Sequence, residues 1–166
     1  MRWMPFVALL SLAITTIAIP VRVVGAARVQ LAYEVESLDL ETLRGKVVVL
    51  EVMETWCGPC KQAIPTLNKW HARWADAGVN VVITSPENAD ILRRYRDANN
   101  VDVRMAVDVD RQFQRRFEVE VYPTYIVLDR EGNARGQFRG TESLPKVEAL
   151  FTSLVDGPIV PDGIRF

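Results

Sequence analysis

Two cysteines separated by two residues, Cys57-Gly58-Pro59-Cys60, are the chain's only thiols, and at that spacing they can close an intramolecular disulfide and open it again. Their setting makes the spacing informative. The run before them, Lys46 to Met53 (Lys-Val-Val-Val-Leu-Glu-Val-Met), is almost unbroken apolar and β-branched sequence, the pattern of a central strand buried on both faces and paired in parallel. After them, Ile64, Leu67, Trp70 and Trp74 recur at helical spacing up to Gly78, read as the helix's C-terminal stop. The pair therefore sits where a strand ends and a helix opens. A first cysteine at a helix N-terminus meets free N–H groups and the positive end of the dipole, which favours its thiolate. An unperturbed cysteine near pKa 8.5 is only a few percent thiolate at pH 7, whereas a pKa near 7 makes about half of it reactive. Cys57, the first and expectedly the more exposed, is assigned as nucleophile. Cys60, one turn into the helix, then resolves the mixed disulfide by attacking Cys57 and releasing the reduced substrate. The Cys57–Cys60 disulfide is itself the redox group, and no other cofactor is expected. The bland alternatives are a structural disulfide or half of a zinc site; two cysteines and His71 supply only three of the four ligands zinc takes, so no metal is expected.

One residue in the strand does not belong to an apolar pattern. Glu51 lies within Val, Leu and Met, where burying a charged carboxylate is costly, so its pKa is expected to rise until it can hold or accept a proton near neutral pH. The alternative is a salt-bridged or water-contacting strand glutamate. Glu54 reads as a loop charge. Trp56, immediately before the nucleophile, is expected to flank the site, with Gly58 and Pro59 facing substrate. Trp70 and Trp74 read as packing residues, His71 as solvent-facing, and Arg93, Arg94, Arg96, Arg111, Arg115 and Arg116 as solvated helix faces.

The elements that must hold these residues alternate. Val79 to Thr84 reads as a strand, and Ser85-Pro86 as a helix cap followed by proline in the first turn. The face Ile91, Leu92, Tyr95 and Ala98 then runs to Asn99-Asn100. Met105 to Val107 suggests a short strand and Phe113 with Phe117 a short helix. Thr124 to Leu128 and Arg135 to Arg139 form a hairpin about Gly132-Asn133. Val147, Leu150, Phe151 and Leu154 give the last helix its stripe, ending at Gly157-Pro158. The reading is one α/β domain with a mixed central sheet over residues 28–156, and a loose tail over 157–166.

Residues 1–27 read as a targeting segment. Met1, Arg2 and Trp3 precede an apolar stretch from Phe6 to Ile19, shorter than the roughly 20 residues of a full membrane span. Pro20 follows, and Gly25-Ala26-Ala27 offers small residues for cleavage by signal peptidase. The alternative counts Trp3 to Val21 as an anchor. Either version places the domain outside the cytoplasm, where disulfides persist. The charge balance, 20 Lys plus Arg against 21 Asp plus Glu for a net −1, argues against nucleic acid as a partner.

Several of these segments together resemble the thioredoxin superfamily. Val47 to Lys61 is similar to its strand and active site, Pro65 falls at the proline of its active-site helix, and Val121-Tyr122-Pro123-Thr124 resembles its cis-proline loop. Gly45-Lys46, Asp129-Arg130-Glu131-Gly132-Asn133 and Gly140 suggest exported thioredoxin-like proteins of the cytochrome c maturation (TlpA/ResA-like) type. That resemblance implies a thioredoxin fold with an extra strand-helix unit between the active site and the cis-proline, for which Asn80 to Val107 leaves room. It implies a cis bond before Pro123, leaving the Tyr122 backbone to pair with an extended substrate, and it makes Tyr122 a substrate contact. Glu51 matches the buried acid that in plain thioredoxins is thought to relay the resolving cysteine's proton. The maturation-type proteins often lack an acid there, and Ala63 stands where some of those reductases have a glutamate.

The function implied is a thiol-disulfide oxidoreductase acting on disulfide-bearing proteins. In this superfamily the Gly58-Pro59 dipeptide goes with reductants, and the resemblance suggests apocytochrome c thiols as substrate, an integral-membrane thiol reductase as electron donor, and a monomer. A disulfide-introducing oxidant, a non-catalytic thioredoxin-like binding module and a peroxidase on a related fold are the competing classes.

Overall fold

The computed structural model describes residues 35–156. The expectations for residues 1–27, Arg28 as the domain's start and the tail 157–166 lie outside the described residues. The elements run β1 (Glu36–Ser37), β2 (Val47–Val52), α1 (Gly58–Trp74), β3 (Val79–Ser85), α2 (Ala89–Asn99), β4 (Arg104–Val107), α3 (Gln112–Arg116), β5 (Thr124–Leu128), β6 (Ala134–Arg139) and α4 (Leu144–Asp156). Three 3₁₀ turns, Leu40–Leu43, Val109–Arg111 and Thr141–Ser143, join them.

Six strands form one sheet in the order β1-β4-β3-β2-β5-β6. All six residues of β2 are buried, as the apolar run requires of a strand covered on both faces. β2 pairs in parallel with β3 and antiparallel with β5, so the parallel pairing expected from its composition holds on one side only. The sheet is mixed and flanked by helices, as expected of the thioredoxin fold. β3, α2, β4 and α3 lie between the cysteine helix and the strand after Pro123, which accommodates the extra strand-helix unit.

Strand periodicity sorts β2 between two cores. Val47, Val49 and Met53 join Ile64, Leu67 and Trp70 of α1, Leu92 of α2, and Val147 and Phe151 of α4. Val48, Leu50 and Val52 point the other way, to Phe113 and Phe117 around α3 and to Leu38 and Leu43. Trp70 and Trp74 meet Phe151 edge-on at 5.2 and 5.9 Å between ring centroids, the packing role read from their spacing; emptying the Phe151 site costs about 3–5 kcal/mol.

Four local expectations are corrected. Ser85 ends β3 rather than capping a helix; α2 is capped by Asn88, whose side chain accepts from Ile91 N, and Pro86 lies outside it. Ala98 is exposed and Leu92 is the one fully buried position of α2. α1 ends at Trp74, and Gly78, at φ 84°, serves the turn into β3, a conformation cheap only for glycine. His71 is half-buried, its Nδ1 enclosed without a hydrogen-bond partner. β1 and the turn at Leu40–Leu43 carry no apolar period long enough to announce them.

Candidate active site

Register assembles the site. Val52, the last residue of β2, lies opposite Thr124, the first of β5, so the loop leaving β2 and the loop entering β5 emerge side by side. The first carries Trp56 and Cys57, the second Tyr122 and Pro123. Trp56 and Tyr122 touch edge to face, ring centroids 5.8 Å apart.

Cys57 is the N-cap of α1. Its backbone is extended, its Sγ accepts from Cys60 N at 3.2 Å, and the first turn contains Pro59, which has no amide hydrogen to leave unsatisfied. Cys57 and Cys60 are joined by a disulfide of 2.05 Å. Cys57 is 4% and Cys60 1% exposed; the order matches expectation, but both are buried, while Trp56, Gly58 and Pro59 stand exposed around them. Pro65 lies inside α1 as expected.

The Tyr122–Pro123 bond is cis. Pro123 is buried, its carbonyl accepting from Gly140 N at 2.9 Å, and Thr124 Oγ1 donates to the Val121 carbonyl at 2.8 Å. Gly140 lies at φ 73°, a backbone conformation that favours glycine over any residue with a Cβ. These bonds hold the loop from behind.

Glu51 alternates with Val49 and Met53, so it points to the face covered by α1, the helix that carries Cys60. It is 1% exposed. Burial pushes its pKa up to about 8, partly offset by the Tyr125 hydroxyl on the neighbouring strand. Glu51 Oε1 and Tyr125 Oη each lack a partner in hydrogen-bonding geometry. The hydroxyl of Tyr95 on α2 is likewise unpartnered, and its pKa is pushed up to about 12 by burial and by the charges of Glu51 and Glu87. No ion pair or strand-edge water contact is needed to explain Glu51; it is a buried acid poised near neutrality.

Glu54 and Arg111 depart from the sequence reading. Glu54 is not a free loop charge, and Arg111, though solvent-exposed as expected, turns its guanidinium onto Glu54. Glu54 accepts from Trp56 Nε1 at 2.8 Å, Tyr122 Oη at 3.0 Å and Arg111 Nη1 at 3.0 Å. Burial works against its charge, but these three donors outweigh it and hold the carboxyl below its ordinary range. Arg111 also donates to Gln114 Oε1 at 2.7 Å. Its position depends on Asp108, fully buried, whose carboxylate accepts from Phe113 N and Gln114 N at 2.8 and 3.2 Å and so caps α3. Asp110 and Arg111 take up left-handed conformations, φ 53° and 56°, uncommon for non-glycine residues. Glu87 completes the support: it accepts from Thr55 N at 2.7 Å, Thr55 Oγ1 at 2.6 Å and Ser85 Oγ at 3.0 Å, tying the loop before Trp56 to the end of β3. Glu54 had one sequence signal, its place two residues before Trp56 at the end of a buried strand; Arg111, Gln114 and Glu87 had none.

The chemistry this arrangement can perform is thiol-disulfide exchange. A family model, the AhpC/TSA family, matches residues 26–136. The thioredoxin-like protein YneN of Bacillus subtilis is 30% identical over 116 residues, 68% of each chain. Thiol-disulfide oxidoreductase ResA of Bacillus thuringiensis is 24% identical over 122 residues, 73% of this chain and 70% of the relative. A thiol-disulfide isomerase from Corynebacterium glutamicum superposes with a TM-score of 0.65 at 26% identity, covering 74% of this chain and 88% of that one. With its strand-Cys-X-X-Cys-helix geometry and cis-proline loop, the chain belongs to the AhpC/TSA family, within it to the ResA/DsbE-like thiol-disulfide oxidoreductases of thioredoxin fold.

Proposed function

We propose that the protein reduces disulfides in protein substrates outside the cytoplasm. The observation that carries this reading is the Cys57–Cys60 disulfide at the N-terminus of α1 beside the cis-Pro123 loop. In the reduced enzyme the Cys57 thiolate, stabilised by the amides of the first turn, attacks a substrate disulfide. One S–S bond breaks as another forms, and the first substrate thiolate leaves. Cys60 then attacks Cys57 Sγ, which releases the second substrate thiol and leaves the enzyme disulfide; two electrons have passed to the substrate. Glu51 takes the Cys60 proton in that step. A carboxylate of pKa about 8 is well matched to a thiol near 8.5, so the transfer is almost level in free energy.

The substrate lies along Trp56, Gly58 and Pro59 on one side and Tyr122 and Pro123 on the other, pairing its backbone with the Tyr122 segment. The apolar stretch Phe6 to Ile19 supports export or anchoring, although among the described residues no helix is long and apolar enough to cross a membrane. Re-reduction outside the cytoplasm requires electrons carried across the membrane, so an integral-membrane thiol reductase is the donor, and apocytochrome c is the substrate we favour. The protein acts as a monomer.

The test is an equilibrium redox titration of the full chain with thiols trapped, together with insulin reduction by a Cys57→Ser variant. A potential near roughly −270 mV and loss of activity in the variant are expected; a potential near roughly −120 mV would make the protein an oxidant instead. Activity surviving Cys57→Ser would exclude the dithiol mechanism.

A further inference from the structure

Glu54 joins three elements that the exchange chemistry does not itself require to be joined. Its carboxylate receives the indole N–H of Trp56 from the cysteine loop, the hydroxyl of Tyr122 from the cis-proline loop, and the guanidinium of Arg111 from the turn before α3. The donors are not interchangeable. Tyr122 has one hydroxyl hydrogen and two acceptors in reach, Glu54 at 3.0 Å and Gln114 Oε1 at 2.9 Å. Arg111 already donates to Gln114 Oε1 at 2.7 Å, so the Tyr122 hydrogen goes to the charged carboxylate, the stronger acceptor. Arg111 Nη1 has two hydrogens, satisfied by Glu54 and Gln114, and its 3.4 Å approach to Tyr122 Oη is secondary. The cluster is thus saturated about one carboxylate, and it holds the Trp56 ring edge-on to Tyr122.

The surface around it is unusual in one respect. Among the described residues the large apolar side chains left exposed are Trp56 at 71%, Val121 at 47% and Val109 at 44%. Trp56 adjoins Cys57, Val121 adjoins Tyr122, and Val109 lies two residues before Arg111. Two of the three, Trp56 and Val121, adjoin residues of the site, and apolar exposure there marks a place where a partner is received.

We propose that Glu54 is a positioning residue: its carboxylate fixes Trp56 and Tyr122 as the two walls of the groove over Cys57, preformed to receive an extended polypeptide by its apolar side chains. Rigid walls spare the substrate the ordering cost of the two aromatic side chains, so the clasp acts on KM for a protein disulfide rather than on exchange itself. The proposal rests on the dithiol reading above.

The test uses the full chain with 15N-labelled tryptophan, the Trp56 indole resonance being assigned by Trp56→Phe. In the unmodified protein the Trp56 indole N–H should shift with pH as Glu54 is protonated, with its inflection below the ordinary carboxylate range. Glu54→Ala should displace that resonance and raise KM for insulin about tenfold with kcat within twofold. Glu54→Gln, which keeps an acceptor but loses the charge, should raise KM about threefold, and it carries the test if Glu54→Ala does not fold. An unmoved indole resonance overturns the proposal whatever KM does, because the carboxylate would then act on substrate directly. An unchanged KM overturns it too. If the unmodified protein does not reduce insulin, the dithiol reading fails, and the indole resonance alone decides the clasp.

Discussion

Glu51 and Glu54 stand three residues apart and meet opposite fates. Glu51 is sealed in the core with an unpartnered Oε1 and a pKa raised to about 8; Glu54, at the mouth of the site, is saturated by three donors and held below its ordinary pKa. Strand geometry explains the divergence. Glu51 is held in a six-residue strand that forces its side chain to one face, while Glu54 follows the end of β2 at Val52 and is free to turn toward donors from other elements. The pair shows that partners, rather than composition of the surrounding segment, decide whether a carboxylate is a proton carrier or a fixed anion.

The comparison can be broken in four ways. The largest effect concerns stability. Between about pH 4.5 and 8 the folded protein keeps a proton on Glu51 that the unfolded chain has released, so stability falls as pH rises through that window and levels off above it. The drop is on the order of 5 kcal/mol. Urea midpoints of the oxidised protein from pH 5 to 9 should show it, and Glu51→Gln should remove it; an equally steep decline in that variant would assign the titration elsewhere.

Turnover comes second. Glu51→Gln should slow insulin reduction about 100-fold and abolish a rate increase whose midpoint lies near pH 8, read from kcat against pH. A retained midpoint would show that another group takes the Cys60 proton.

Asp108 is as deeply buried as Glu51 but holds two amide donors, and so separates depth from partnership. Asp108→Ala should destabilise by about 2 kcal/mol by orphaning both N–H groups, the opposite sign to Glu51→Gln above pH 8. Denaturant unfolding measures both. The smallest effect is at Glu87, half-buried and also saturated: Glu87→Ala should cost about 1 kcal/mol by releasing Thr55 from β3. A loss as large as that of Asp108→Ala would mean that the loop before Cys57 depends on this one contact.

Much of the molecule was legible because its signals are local. The apolar run of β2, the helical stripe of α1 and the hairpin about Gly132 each depend on near neighbours in sequence, and each formed within a few residues of expectation. The cysteine pair was readable for the same reason: three residues of helix bring the two sulfurs together whatever the rest of the chain does. Glu51 was legible through contrast, a charge in an apolar run. α2 was misplaced at its start because Ser85-Pro86 imitates a cap, while strand pairing kept Ser85 in the sheet opposite Val107.

The redox pair, the strand and helix that present it, and the buried acid of that strand thus follow from spacing and polarity along one segment. How Glu54, Arg111, Tyr122 and Trp56 meet is set by the folded chain alone. Their contacts span 2 to 68 positions along the chain and depend on the antiparallel register of β2 with β5 and on a left-handed turn capped by Asp108. No periodicity encodes such a meeting: a carboxylate's partners are chosen by whichever donors the folded backbone brings within 3 Å of it.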